Sequence, residues 1–225
     1  MSLSHSPSIV TNGLILCLDA ANTESYPRTG SAWTDLSNNG NNATLINGPS
    51  FSSANRGVLS FNGSTQYVTS AFTNRSFTQL TFIAFLNRIT TGAAGAGIIF
   101  NRGGAGGTTG MNIGWANSNN LGYHWNDDGA TYSYDSGLAI PLNTWSYCAL
   151  SVSPTNAIFC VNGVIVNRTY NHSSTTIGVG MQIAADAAAS RYYQSIFATA
   201  CLYNRALTPT EILQNYNATK GRFGL

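Results

Sequence analysis

Residues 119–137 read NNLGYHWNDDGATYSYDSG, the densest gathering of chemically capable side chains in the chain. Tyr123, His124, Trp125, Asn126, Asp127, Asp128, Tyr132, Tyr134 and Asp135 set aromatic rings beside carboxylates and an amide. A saccharide is held by laying an apolar ring face on an aromatic side chain while Asp or Asn takes hydrogen bonds from its hydroxyls. These residues are therefore the candidate carbohydrate-binding set, read as one hairpin. The same alternation of Tyr and Trp also suits a strand with half its side chains in a core. Both readings stand at this stage: a polar contact surface, for sugar or for protein, or part of the interior.

Sugar chemistry raises the question of hydrolysis, which needs two carboxyl groups about 5 to 9.5 Å apart in acid and base or nucleophile roles. On a strand, acids at i and i+2 or i+4 share a face, and no E-x-D-x-E pattern exists here. The glutamates are Glu24, assigned to a turn, and Glu211, assigned to a helix cap. Asp127 and Asp128 are adjacent, so in a strand they point to opposite faces. No GxSxG accompanies His124, and the glycines between 92 and 110 form neither GxGxxG nor GxxxxGK. The expectation is a protein that is not an enzyme, with no catalytic residues, no cofactor and no metal site.

The elements that must position these residues are short apolar or alternating runs closed by turns. GLILCLDA, GVLSFNG, QYVTSAF, FTQLTFIAFLN, GIIFN, MNIGWAN, TWSYCALSVS, NAIFCVNG, GVIVNRTY and YYQSIFATACLYN all read as strands. Asn-Gly, Ser-Pro and Gly-Gly punctuate them. Such spacing indicates an antiparallel sandwich or barrel. Asn162-Gly163 accepts the positive φ angles of a type I′ hairpin turn, and Ser153-Pro154-Thr155-Asn156 turns the preceding pair. One helix is predicted from Thr208, where Thr208 caps, Pro209 takes the first position and Glu211 completes a capping box. Ile212, Leu213 and Tyr216 are predicted to face a sheet. Residues 91–110, rich in Gly and Ala, read as a mobile hairpin.

Charged residues make up 8% of the 225, against about 25% in ordinary soluble domains. Asn, Ser, Thr and Gly therefore cover the surface, and they favour turns over helix interiors. Ten basic and eight acidic residues give a net charge of +2 with no basic stripe. Nucleic acid is excluded as a partner on that ground, and weak self-repulsion favours association in multiple copies or as a homo-oligomer. Cys17, Cys148, Cys160 and Cys201 sit in apolar runs without a CxxC pair. They read as buried free thiols. MSLSHSPSIVTNG lacks the basic region of a signal peptide, and no run approaches the roughly 20 apolar residues of a membrane span. The sequons at Asn42, Asn62, Asn74, Asn167, Asn171 and Asn217 read as a by-product of Asn-rich composition. The expectation is a soluble chain made in a reducing cytoplasm, with no membrane partner.

An ordered set of motifs carries a resemblance. Leu14 to Asp19 leads through Ser25-Tyr26-Pro27 to the W-x-D-L-S-x-N-G-N-N run of Trp33 to Asn42, then an N-G-P turn and the F-x-G-x-x-x-Y-V run of Phe61 to Val68. TWSYCALSV, AIFCVNGVIV and the ending LYNRALTPTEILQNYNATKGRFG complete the set. Together they resemble the laminin-G-like, concanavalin A-like jelly roll, in the version found in tailed-phage virion proteins. The resemblance implies an all-β antiparallel jelly-roll β-sandwich with one short C-terminal helix, as a single domain over 13–225 behind an extended arm, 1–12. It implies a virion surface structural protein on capsid or tail, assembled in the host cytoplasm. Its partners are then other virion proteins, docked through the arm, and a host-surface glycan. The alternative is a decoration protein that binds no sugar; a glycoside hydrolase ranks third. Family members with a calcium site carry acids where this chain has Asn62 and Gln66, and Asp186 alone reads as a solvated turn residue.

Overall fold

The computed structural model describes residues 8–102 and 107–225. Two antiparallel sheets face each other, as the turn spacing predicts. The eight-stranded sheet runs Val164–Thr169, Asn156–Val161, Trp145–Ser153, Leu80–Arg88, Gln194–Tyr203, Val58–Asn62, Ser50–Ser52. Its eighth strand, Leu14–Asp19, pairs with the second half of Gln194–Tyr203. The seven-stranded sheet runs Leu121–His124, Thr109–Ile113, Gly97–Asn101, Gln182–Ile183, Tyr67–Ser70, Ala43–Ile46, Ala32–Trp33. Strands distant in sequence thus lie side by side, and the two ends of the chain close the same sheet.

Local chemistry explains the connections. Asn162 and Gly163 sit at φ 49° and 85°, the left-handed pair that a type I′ turn requires. The Asn162 carboxamide also accepts the Tyr147 N–H. In the Trp33 to Asn42 motif the organiser is Asp35, which is buried. Its carboxylate accepts from the N–H groups of Cys17, Ser37 and Asn41 and from the Ser37 hydroxyl. The asparagine-rich run is therefore a loop wound around one acid and tied to the first strand, where Asn41 donates to the Ile15 carbonyl. At the other end, the helix Pro209–Thr219 carries the expected capping box between Thr208 and Glu211.

The core has two parts. Between the sheets lie Leu16, Leu18, Trp33, Phe61, Phe82, Leu86, Met111, Tyr123, Phe159 and Phe197 among others. A second cluster covers the outer face of the eight-stranded sheet, where Ile83, Phe85, Tyr147, Cys160, Cys201 and Tyr203 pack under Leu207 and Ile212. This sheet is apolar on both faces, which is why Leu80 to Leu86 is buried at every position. The four cysteines are buried and free, as expected.

Three expectations change, and a fourth, the hairpin in 91–110, is met in its described part. Residues 119–137 form no tight two-stranded hairpin: the chain returns only through one antiparallel bridge, Asn120 to Ala139, after the strand Leu121–His124 gives way to a one-turn helix, Gly129–Tyr132, capped by Asp128. Asn215, rather than Leu213, is the second buried position of the C-terminal helix, because its amide accepts the Val10 N–H and donates to the Tyr203 hydroxyl. The expected arm joins the core before residue 13: Val10 is buried and Ile9 packs beside it. Residues 1–7 of that arm lie outside the described residues. In the 91–110 segment, Gly97–Asn101 and Thr109–Ile113 pair as a hairpin, and positions 103–106 lie outside the described residues.

Candidate functional site

The outer face of the seven-stranded sheet follows from strand alternation. Met111 and Ile113 point into the core, so Gly110 and Asn112 point out; Leu121 and Tyr123 point in, so Gly122 and His124 point out. Gly110 pairs with His124 and Asn112 with Gly122. A Cβ at Gly110 would stand 2.4 Å from the Ile99 carbonyl oxygen, and one at Gly122 2.6 Å from the Gly114 Cα. The floor of this face is consequently backbone, interrupted by Asn112, His124 and Phe100, whose ring meets His124 edge-on at 5.2 Å.

His124 is buried and its Nδ1 lies 2.6 Å from the Asn112 Nδ2. Burial, and next the charges of Arg102 and Arg191, push its pKa down to about 3. The ring is therefore neutral, and in this amide orientation it accepts from Asn112 and keeps its own proton on Nε2. Tyr132 stacks on it, with centroids 5.1 Å apart and planes 24° from parallel. Trp115, from the loop after Ile113, meets Tyr132 edge-on at 6.2 Å. These two are among the few large exposed hydrophobics, at 44% and 36%.

The opposite wall is a charge cluster. Asp186 is fully buried in the short 185–192 hairpin. Its two oxygens accept from Arg102 Nε at 3.0 and 2.8 Å, and Arg191 Nη1 lies 3.3 Å away. The Arg191 guanidinium also rests 4.5 Å over the Trp115 ring. Arg102, Trp115, His124, Tyr132 and Arg191 enclose a groove of about 250 Å³. Behind it, buried Arg88 donates to the carbonyls of Thr91, Ser118 and Ile140, tying the loop that follows Trp115 to the sheet.

Of the residues expected to bind sugar, only His124 and Tyr132 reach this groove. Tyr123 points into the core, where its hydroxyl meets His172 and Arg168. Trp125 has the same strand parity and is 1% exposed, with its indole N–H on the Ser173 carbonyl. It offers no face for stacking. Asn126 and Asp127 turn the chain at positive φ, Asp128 caps the one-turn helix and accepts from Tyr170, and Asp135 binds Asn120 and the Gly137 N–H. Tyr134 packs half-buried under Arg168. Asp186 is no solvated turn residue, because two guanidiniums stabilise its burial. Trp115, Arg102, Arg191 and Asn112 were missed; the one local signal was a Trp in the Asn-rich stretch GWANSNN, residues 114–120.

At Asn62 and Gln66, the side-chain oxygens already have hydrogen-bond partners. The Asn62 side-chain oxygen accepts from the N–H groups of Ser64, Thr65 and Gln66, and the Gln66 oxygen from that of Asn62. Oxygens committed to N–H donors are not open to a cation that prefers several carboxylate or carbonyl oxygens.

The laminin G family model described as "Concanavalin A-like lectin/glucanases superfamily" matches residues 61–213. No curated protein matches the sequence. Among solved structures, domain 4 of AbnA, a GH43 extracellular arabinanase from Geobacillus stearothermophilus, in complex with arabinotriose, is similar at TM-score 0.68 and 14% identity, covering 91% of this chain and 98% of that one. Trypanosoma rangeli sialidase in complex with the inhibitor DANA is similar at TM-score 0.63 and 16% identity, covering 95% of this chain and 35% of the sialidase. The botulinum neurotoxin serotype G binding domain is similar at TM-score 0.63 and 14% identity, covering 90% of this chain and 50% of that one. The chain thus spans about a third of the sialidase it matches and half of the toxin domain. At such identities the likeness concerns the fold, and the two facing sheets agree with the family match. The chain belongs to the concanavalin A-like lectin/glucanases superfamily.

Proposed function

We propose that this chain is a non-catalytic glycan-binding jelly roll displayed on a phage virion, where it contributes to adhesion to the host surface. The observation that carries the binding reading is the exposed pair Trp115 and Tyr132 beside the donors of Arg102, Arg191 and His124. Aromatic faces with convergent polar groups are what a saccharide site needs. The arabinanase domain, nearly equal in length and solved with arabinotriose, supports this reading. The virion context rests on the ordered motifs from Leu14 to Gly224. Multivalent display then raises avidity without new contacts.

The carboxylates support binding without hydrolysis, since a general acid needs a raised pKa. The Tyr170 hydroxyl bond holds Asp128 low, and the Asn120 bond does the same for Asp135. At Asp127 partial burial acts upward but is outweighed by the Thr108 hydrogen bonds and the Arg102 charge. A purely packing role is the second reading, favoured by the edge strand Val164–Thr169, with Val164 60% exposed. A multimerised chain on a glycan array decides between them. Retention that disappears in Trp115→Ala/Tyr132→Ala, with no sugar released, supports binding; a silent array supports packing.

A further inference from the structure

The groove is rich in donors and poor in acceptors, and this bears on which saccharide fits. Arg102 spends its Nε on Asp186, and among the described residues nothing accepts from its Nη1 or Nη2. Arg191 commits one Nη1 contact to Asp186, and its plane is fixed by the Trp115 ring, which consumes no donor. Both side chains remain partly exposed, 29% and 23%, whereas Asp186 is at 0%. Two guanidiniums on one carboxylate leave a net positive charge. His124 adds an N–H donor in the amide orientation described.

A neutral sugar presents hydroxyls, which donate as well as accept, and a site built for it supplies carboxylates or amide oxygens to take those protons. Here the carboxylate in the groove wall, Asp186, is sealed behind the arginines, and the other carboxylate near Arg102 and His124, Asp127, already spends an oxygen on the Thr108 N–H. The Asn112 side-chain oxygen is buried without a partner, but it faces Gly122 in the floor, 2.7 Å from where a Cβ would stand there. An oxyanion is an acceptor only, and a planar guanidinium edge matches it through paired N–H bonds.

Resting on the glycan-binding reading, we propose that the groove selects an acidic saccharide, with a carboxylate or sulfate oxyanion of the sugar on the free edges of Arg102 and Arg191 and its ring against Trp115 and Tyr132. The partly buried, pre-aligned arginines set the preference, and the aromatics supply contact shared with any pyranose.

The test is calorimetric titration of the full chain with three probes at 50 and 300 mM NaCl: oligogalacturonate, sulfated galactan oligomer and neutral galactan oligomer of equal length. At least one acidic probe is expected to bind about tenfold or more tighter than the neutral one at low salt, and the advantage is expected to shrink at high salt. Arg102→Lys keeps a cation beside Asp186 but removes the fork, and is expected to abolish most of the advantage. If that variant melts early, the salt dependence of the unaltered chain decides alone. Neutral galactan binding equally well or better overturns the acidic preference and leaves the glycan site standing. Silence with all three probes overturns both.

Discussion

The outer faces of the two sheets have opposite fates. On the eight-stranded sheet, Ile83, Phe85, Tyr147, Cys201 and Tyr203 point outward and pack under Ile212 and Leu207, with Phe223 stacked 4.2 Å from Phe85 and a cavity of about 170 Å³ left between them and the helix. On the seven-stranded sheet the outward positions include Gly110, Gly122, Asn112, His124, Phe100, Tyr67, Thr69 and Thr44; among the described residues no long helix lies over them, and Asn112, His124 and Phe100 are buried under short loops instead. Both sheets alternate with the same period, so the difference lies in which residues occupy the second face. An apolar face must be covered, and the capped C-terminal helix covers one. The other face mixes glycine and small polar residues with Phe100, Tyr67 and His124 under short loops, with exposed aromatics at its rim. A helix closes one face, whereas short loops cover the other and leave Trp115 and Tyr132 exposed at its rim.

Two tryptophans sharpen this contrast most. Trp125→Ala removes a core side chain and is expected to cost about 3–5 kcal/mol, read as a large fall in melting temperature. Trp115→Ala is expected to move stability by less than about 1 kcal/mol while removing glycan retention; equal losses from the two would break the contrast. Next comes the cover: Ile212→Ala is expected to lose about 2–4 kcal/mol, measured by urea unfolding, with retention by the folded fraction unchanged.

The cover also carries a pH signature. The Arg205 hydrogen bonds hold the Glu211 carboxyl down at about 2, aided by the Thr208 contacts. A folded pKa below the unfolded value means stability present above about pH 4.3 and lost as pH falls toward 2. After solvent screening this is about 1–2 kcal/mol, and Glu211→Gln is expected to flatten that limb of the melting profile. The smallest effect is expected from chelation: EDTA should leave retention within error, and a tenfold loss would show that a cation does serve this fold.

The architecture was legible because it rests on local signals. Asn162-Gly163, the Thr208 capping box and the alternating runs each specify their geometry within a few residues. The buried thiols follow from apolar neighbours on both sides. Half of the site's logic was also local: Leu121, Tyr123 and Trp125 share parity, which places both rings inside once Leu121 is. The other half was not. The one-turn helix 129–132 breaks the alternation and swings Tyr132 onto His124. Arg102 and Asp186 meet across 84 positions, and no local pattern reports such a pair. Val10 likewise owes its burial to Asn215, 205 residues away.

The most direct test of the central claim is a nitrogen-15 NMR titration of the chain with the glycan that an array retains best. Amide shifts are expected at Gly110, Asn112, Trp115, Gly122, His124, Tyr132 and Arg191, with the strands under the C-terminal helix unmoved. Shifts gathered on the eight-stranded sheet, or on the edge strand Val164–Thr169, would contradict the assignment of function to the outer face of the seven-stranded sheet.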